Sequence, residues 1–315
     1  MIDQYGRTID YLRLSVTDLC NYRCRYCMPE EGVEKGPHGS VLSVEECGEI
    51  ARAAVRCGVR KIRVTGGEPL VRRGILDICR TLRAIPELEE LCLTTNGSLL
   101  PELAQPLWDA GVDRLNISLD TLQPERFREI TRWGTLEEVL SGIRAAEDTG
   151  FRHLKLDTVL MGGVNDDEIG DFLNLTRAHP WEARFIELMP MGPCAAWPKE
   201  RFLSVTEVLK RFPELEKIEP SGVARRWVTA FSVTSTIRAR PCSLKWVSSP
   251  MVQPPISFMV RGVSLACSVR WCPLGFCRMP RRTNGSPPVM RLFRTPSFTT
   301  AREISPRSST VRTEP

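Results

Sequence analysis

Six short apolar runs alternate with helical stretches between residues 11 and 188, and this alternation leaves the chain few folds to choose from. The runs are "YLRLSV" (11–16), "KIRVT" (61–65), "LCLTT" (91–95), "RLNISL" (114–119), "HLKLDTVL" (153–160) and "ARFIEL" (183–188). Helix signals lie between them. "SVEECGEIARAAVRCG" opens with Ser43 and Glu46 at the spacing of a capping box and closes at Gly58, a residue suited to the left-handed conformation of a helix stop. "PELAQPLWDAG" stops in the same way at Gly111, and "TLEEVLSGIRAAEDTG" at Gly150. Strands joined through helices pair in parallel, because a parallel neighbour needs a crossover that lies outside the sheet. The expectation is an α/β fold, an open or closed barrel, whose chemistry collects where the C-terminal strand ends converge on one mouth.

Unusual residues recur at those ends: the cysteines after the first run, "GGEP" after the second, "TTNG" after the third and "SLD" after the fourth. Of twelve cysteines, Cys20, Cys24 and Cys27 form CxxxCxxC. A structural zinc site wants four ligands, usually two CxxC pairs across a longer loop, an arrangement absent from the first 222 residues. Three thiolates on a four-iron cubane instead leave one iron corner for a ligand that is not protein. Zinc completed by a remote His or Cys is the alternative, although His38, His153 and His179, the three histidines, read as surface or core residues. Cys47, Cys57, Cys79 and Cys92 fall among apolar residues and read as small core side chains. In "VTGGEP", Gly66 and Gly67 would let a ligand approach the backbone, and Glu68 offers an acceptor suited to an ammonium group. No GxxxxGK[ST] phosphate cradle occurs.

Together, CxxxCxxC with Tyr26 before its last cysteine, and GGEP after the second strand, resemble the radical S-adenosylmethionine superfamily. "LRLSVTDLCNYRCRYCMP", "KIRVTGGEPLVRR", "LTTNG", "AGVDRLNISLDTL", "KLDTVLMGGVNDDEI" and "RFIELMPMG" further resemble the GTP 3',8-cyclase family of molybdenum cofactor biosynthesis, from about residue 7 to about residue 222. The resemblance implies a partial (β/α)6 TIM-like barrel of the radical SAM type. It also implies a [4Fe-4S] cluster on Cys20, Cys24 and Cys27, at whose open iron S-adenosylmethionine is cleaved to a 5'-deoxyadenosyl radical. Tyr26, Gly67, Ser118 and Met189 would line the S-adenosylmethionine pocket, and Arg13, Arg63, Thr94 and Lys155 would hold GTP. Cluster and cofactor would carry the chemistry, with no catalytic protein nucleophile, in rearranging GTP to (8S)-3',8-cyclo-7,8-dihydroguanosine 5'-triphosphate. The resemblance further points to an electron donor, to the next enzyme of cyclic pyranopterin synthesis and to a homodimer as partners.

Physical sense runs beside these assignments. Arg13 and Arg63 alternate with Leu12, Leu14, Ile62 and Val64, so their side chains face the other way. An inward cation wants an anion, and a triphosphate supplies one; the bland reading is an internal ion pair with Glu68, Asp120 or Glu187. Arg184 joins the inward set, whereas Arg72 and Arg73 are assigned to solvent. The alternative functions are a radical enzyme acting on another substrate, such as a peptide, and a metal-stabilised nucleic-acid-binding protein.

The last alternative arises from charge. The formal net charge is +5, yet residues 223–315 hold fourteen Arg and one Lys against two Glu, a balance of +13, leaving −8 before them. That stretch also has eleven Pro and thirteen Ser and shows no sustained helical or strand period. The chain therefore divides into a core, 1–222, and an atypical, poorly ordered basic segment, 223–315. The family resemblance stops near "SGVAR". The second cluster that the family carries, on CxxC and a third cysteine, has no counterpart, since Cys242, Cys267, Cys272 and Cys277 form no CxxC. One cluster is expected, with cofactor cleavage uncoupled from cyclization. A shifted reading frame accounts for such a composition; a basic nucleic-acid-binding tail is the other explanation. The N-terminus has no cationic leader with an apolar stretch, and no run of about 18 apolar residues occurs. A soluble, cytoplasmic protein without a membrane partner is expected.

Overall fold

Each of the six apolar runs forms a strand in the computed structural model: β1 (Tyr11–Ser15), β2 (Lys61–Thr65), β3 (Glu90–Thr95), β4 (Arg114–Ser118), β5 (Lys155–Leu160) and β6 (Glu182–Glu187). The structure describes residues 8–33, 41–152, 154–190, 192–213, 215–218, 230–235, 242–247, 256–260 and 263–267, all within one compact unit, Met1–Leu274. His38, His153, Cys272 and Cys277 lie outside the described residues.

The six strands pair in parallel and in chain order, and β1 and β6 do not pair with each other. The sheet is thus an open, partial barrel. Helices α1 (Val44–Arg56), α2 (Ile75–Arg83), α3 (Leu100–Asp109), α4 (Pro124–Thr131), α5 (Leu136–Thr149) and α6 (Ile169–Ala178) fill the crossovers. The capping box of α1 forms as its spacing suggests, with Ser43 and Glu46 exchanging side-chain-to-backbone hydrogen bonds. Thr135 and Glu138 do the same for α5, which ends at Gly150 with φ 116°.

Alternation along the strands separates two faces. Leu14, Ile62, Leu93, Leu115, Leu156 and Phe185 are each fully buried (0% exposed) in one core shared with the helices. Each such side chain stabilises the fold by about 1.5–3 kcal/mol. The opposite, inner face carries Arg13, Arg63, Thr94, Asn116, Asp157 and Arg184.

Strands also occur beyond the six, all but the first of them in the stretch where the sequence has no sustained period. After α7 (Val205–Arg211) come β7 (Leu215–Ile218), β8 (Ala230–Ser235), β9 (Cys242–Val247), β10 (Ile256–Val260) and β11 (Val263–Cys267). β9 adds parallel to β6, and β11 adds antiparallel to β1, so both open edges of the parallel sheet are paired. β8 and β10 extend these additions, and β7 pairs with β8 across residue 222. Runs of four to six residues are too short for alternation to stand out from composition. Among the described residues no helix is long and apolar enough to cross a membrane.

Candidate cofactor and substrate site

The four motif loops at the C-terminal strand ends are bonded to one another. The cysteine loop passes so close to β2 that a Cβ on Gly67 would come within 2.4 Å of the Leu19 carbonyl oxygen. Gly67 N donates to Thr17 O at 2.7 Å and Glu68 N to Leu19 O at 2.8 Å. What approaches the glycine pair is therefore the chain's own backbone. Glu68 is 1% exposed and accepts from Leu70 N (3.0 Å), Thr95 Oγ1 (2.8 Å) and Asn96 N (2.6 Å). Burial pushes its carboxyl upward, against the pull of those three donors. Glu68 thereby ties GGEP to TTNG. Asn96 Nδ2 in turn donates to Asn21 Oδ1 in the cysteine loop at 2.8 Å.

Asp120, the acid of "SLD", is a second hub. Its Oδ2 accepts from the Tyr26 hydroxyl at 2.8 Å and its Oδ1 from Val159 N at 2.9 Å. Burial raises its carboxyl to about 6. The cysteine loop is further seated on the end of α4. Arg23 N and Arg25 N donate to Thr131 O (3.0 Å) and Ile130 O (2.9 Å). Arg132, the one described non-glycine residue with positive φ (63°), donates to Arg23 O at 2.7 Å. A backbone in that region is strained for a side chain of this size, and such strain collects at functional sites.

Cys20 and Cys24 are half-buried and Cys27 is exposed. Among the described residues no three His, Cys, Asp or Glu sit close enough to hold a single metal ion. A four-iron cluster asks for a wider spread, since each thiolate takes its own iron. Burial pushes all three thiols up, and nearby Glu68 (for Cys20) and Asp120 (for Cys24 and Cys27) push the same way. A cationic centre that deprotonates thiols on binding suits this donor set.

Beneath the rim, register brings the substrate-set residues onto one face. Arg13 pairs with Arg63 across β1 and β2, and Thr94 and Lys155 both flank Asn116 on β4. Arg63 is 7% exposed; its Nε donates to Tyr11 Oη at 2.5 Å and its Nη1 to Thr94 Oγ1 at 3.2 Å. Among the described residues no carboxylate lies within ion-pair distance of Arg13 or Arg63, and Arg13 Nε is buried without a hydrogen-bond partner. That orphaned donor fits an anionic ligand. Lys155 differs, being paired with Glu182 at 3.0 Å, and Arg184 is 3.1 Å from Asp157. The cofactor-set residues stand nearer the rim. Ser118 ends β4 in register with Asp157, and Met189 follows β6, its carbonyl accepting from Cys194 Sγ at 3.0 Å.

Several sequence readings need correction. Arg72 is half-buried, not solvated, and donates to Val16 O and Leu42 O, bracing β1 against the approach to α1. Arg73 is exposed as expected. Cys47, Cys79 and Cys92 are buried, but Cys57 caps α1 and is exposed. His179 is a surface residue stacked on Trp181 at 3.9 Å. Asn116, Asp157, Arg132 and buried Cys194 were not anticipated; only the inner-face alternation of β4 and β5 signalled the first two.

The sequence profile of the radical SAM superfamily matches residues 14–176. The chain belongs to this superfamily. Within it, the GTP 3',8-cyclase of Peptoclostridium acidaminophilum is 52% identical over 225 residues, covering 71% of this chain and 69% of the relative. The GTP 3',8-cyclase of Geobacter sulfurreducens is 53% identical over 220 residues, 70% of this chain and 67% of the relative. This radical SAM chain thus falls in the GTP 3',8-cyclase family. A similar fold is seen in Streptococcus suis SuiB bound to S-adenosylmethionine, with a TM-score of 0.53 at 16% identity over 77% of this chain and 51% of that one.

Proposed function

We propose that this chain is a GTP 3',8-cyclase of molybdenum cofactor biosynthesis, rearranging GTP to (8S)-3',8-cyclo-7,8-dihydroguanosine 5'-triphosphate. The observation that carries the reading is a three-thiol loop bonded to the other strand-end loops of a sheet whose inner face bears Arg13 and Arg63, with no carboxylate partner among the described residues. Cys20, Cys24 and Cys27 hold a [4Fe-4S] cluster, which when bound supplies the electron that cleaves S-adenosylmethionine. Tyr26, Gly67, Ser118 and Met189 line the cofactor pocket. The Tyr26 phenol donates to Asp120 at 2.8 Å, which holds the ring in place.

Arg13 and Arg63 take the triphosphate, Thr94 steadies Arg63, and Lys155 adds a point charge for which phosphate oxygens compete with Glu182. No side chain acts as nucleophile. The protein's share is to hold the ribose in reacting geometry and keep water out. Without a CxxC in 223–315, this chain carries one cluster, and cofactor cleavage runs ahead of cyclization. An external electron donor, the next enzyme of cyclic pyranopterin synthesis and a second copy of the chain are its partners in this reading.

Anaerobic reconstitution with iron and sulfide tests it. A brown protein with about four irons per chain is expected, forming 5'-deoxyadenosine after dithionite reduction. Cys24→Ala should abolish that product. A colourless protein containing zinc would overturn the proposal.

A further inference from the structure

One more polar residue sits inside the substrate set. Asn116 is flanked across the sheet by Thr94 and by Lys155 and is 1% exposed. Its Nδ2 donates to Asp157 Oδ2 at 2.8 Å, and Arg184 holds Asp157 from the next strand at 3.1 Å. An ionised carboxylate only accepts hydrogen bonds, so Asp157 decides which end of the amide it faces. Asn116 Oδ1 is thereby turned away from Asp157, and it has no hydrogen-bond partner among the described residues.

A buried carbonyl oxygen without a donor is unfavourable unless a ligand completes it. Phosphate oxygens also only accept, so the triphosphate cannot do so. A nucleoside can, through its ribose hydroxyls or an exocyclic amino group. We propose that Asn116 is a specificity-determining residue that accepts a hydrogen bond from the nucleoside end of the nucleotide, oriented for this by Asp157 and Arg184. Arg13 and Arg63 read charge and Asn116 reads the sugar or base. The assignment rests on the inner face being the GTP site.

Reconstituted full-length protein and Asn116→Ala are titrated anaerobically with GTP, 2'-deoxy-GTP, 3'-deoxy-GTP, inosine triphosphate and inorganic triphosphate. The substitution should weaken GTP roughly tenfold while leaving inorganic triphosphate within about twofold. It should also erase the preference of the unsubstituted protein for GTP over one analogue. If a deoxynucleotide is that analogue, the contact is a ribose hydroxyl; if inosine triphosphate, the amino group. Asp157→Asn, nearly isosteric, frees the amide to turn and should give the same analogue pattern with a smaller loss, which keeps the test open if Asn116→Ala folds poorly.

Equal GTP affinity in both proteins, or parallel loss of GTP and inorganic triphosphate, would overturn the assignment. Failure of the unsubstituted chain to bind either ligand shows up before any substitution, and it would overturn the substrate reading together with this one.

Discussion

On β2, Ile62 and Val64 turn into the helix-covered core and are fully buried, whereas Arg63 between them turns inward, where Tyr11 and Thr94 receive its N–H groups. β4 repeats the contrast: Leu115 and Ile117 pack against helices, and Asn116 faces the inner side with an oxygen that has no partner among the described residues. One backbone thus serves two demands. Outward side chains gain by leaving water and need only fit. Inward ones include arginines whose charge no described carboxylate answers, an arrangement that favours a ligand over the empty fold.

The sharpest way to break this division is to cut the outer face. Leu93→Ala, at 0% exposure, should lower unfolding free energy by about 2–5 kcal/mol in urea titration, while iron per folded chain stays unchanged. An iron loss at mild destabilisation would mean that the two faces are not separable. Gly67→Ala probes the seam between them. A methyl group 2.4 Å from Leu19 O and 2.7 Å from Asp18 O meets backbone that cannot rotate away. It should cost about 1–3 kcal/mol and also lower the iron content, because the displaced carbonyls belong to the cysteine loop.

Arg63→Met tests the inner face alone. Stability should change by less than about 1 kcal/mol, or rise, since a buried cation is replaced by an apolar chain. Triphosphate affinity should fall at least tenfold by calorimetry. A marked loss of stability would make Arg63 a structural residue.

The smallest effect is expected at the base of the inner face, where charges are already paired. Glu90 accepts from Lys61 Nζ at 2.5 Å and lies 2.6 Å from Arg114 Nε. Burial alone would raise its carboxyl, but the Lys61 hydrogen bond and the two cationic charges hold it below the usual 4.5. A depressed value contributes stability above 4.5 that is lost as pH falls through the folded value. Glu90→Gln should therefore cost about 0.5–1 kcal/mol at neutral pH, and the two proteins should converge in melts below pH 4.5.

Much of this contrast was legible beforehand. Alternation placed Arg13 and Arg63 opposite Leu12 and Val64, and cap spacing marked α1 and α5. Both signals are local, with periods of 2 and 3.6 residues. Cys57 was misread because the end of a helix turns out of its apolar stripe, so the cap residue is exposed. Arg72 was misread because a long side chain reached Val16, 56 positions away. Strands β9 and β11 escaped notice because their pairing partners, β6 and β1, lie far off in sequence.

The sequence by itself determined six strands, their helical crossovers, the CxxxCxxC loop and the family, because each is written in short-range spacing that any folded context must respect. Only the tertiary structure decided that Glu68 and Asp120 are rim hubs and that Lys155 is already paired with Glu182. It alone set Asn116 between Thr94 and Lys155. The physical reason is that hydrogen bonds and ion pairs act within a few ångströms, and parallel pairing joins residues some 20 to 40 positions apart.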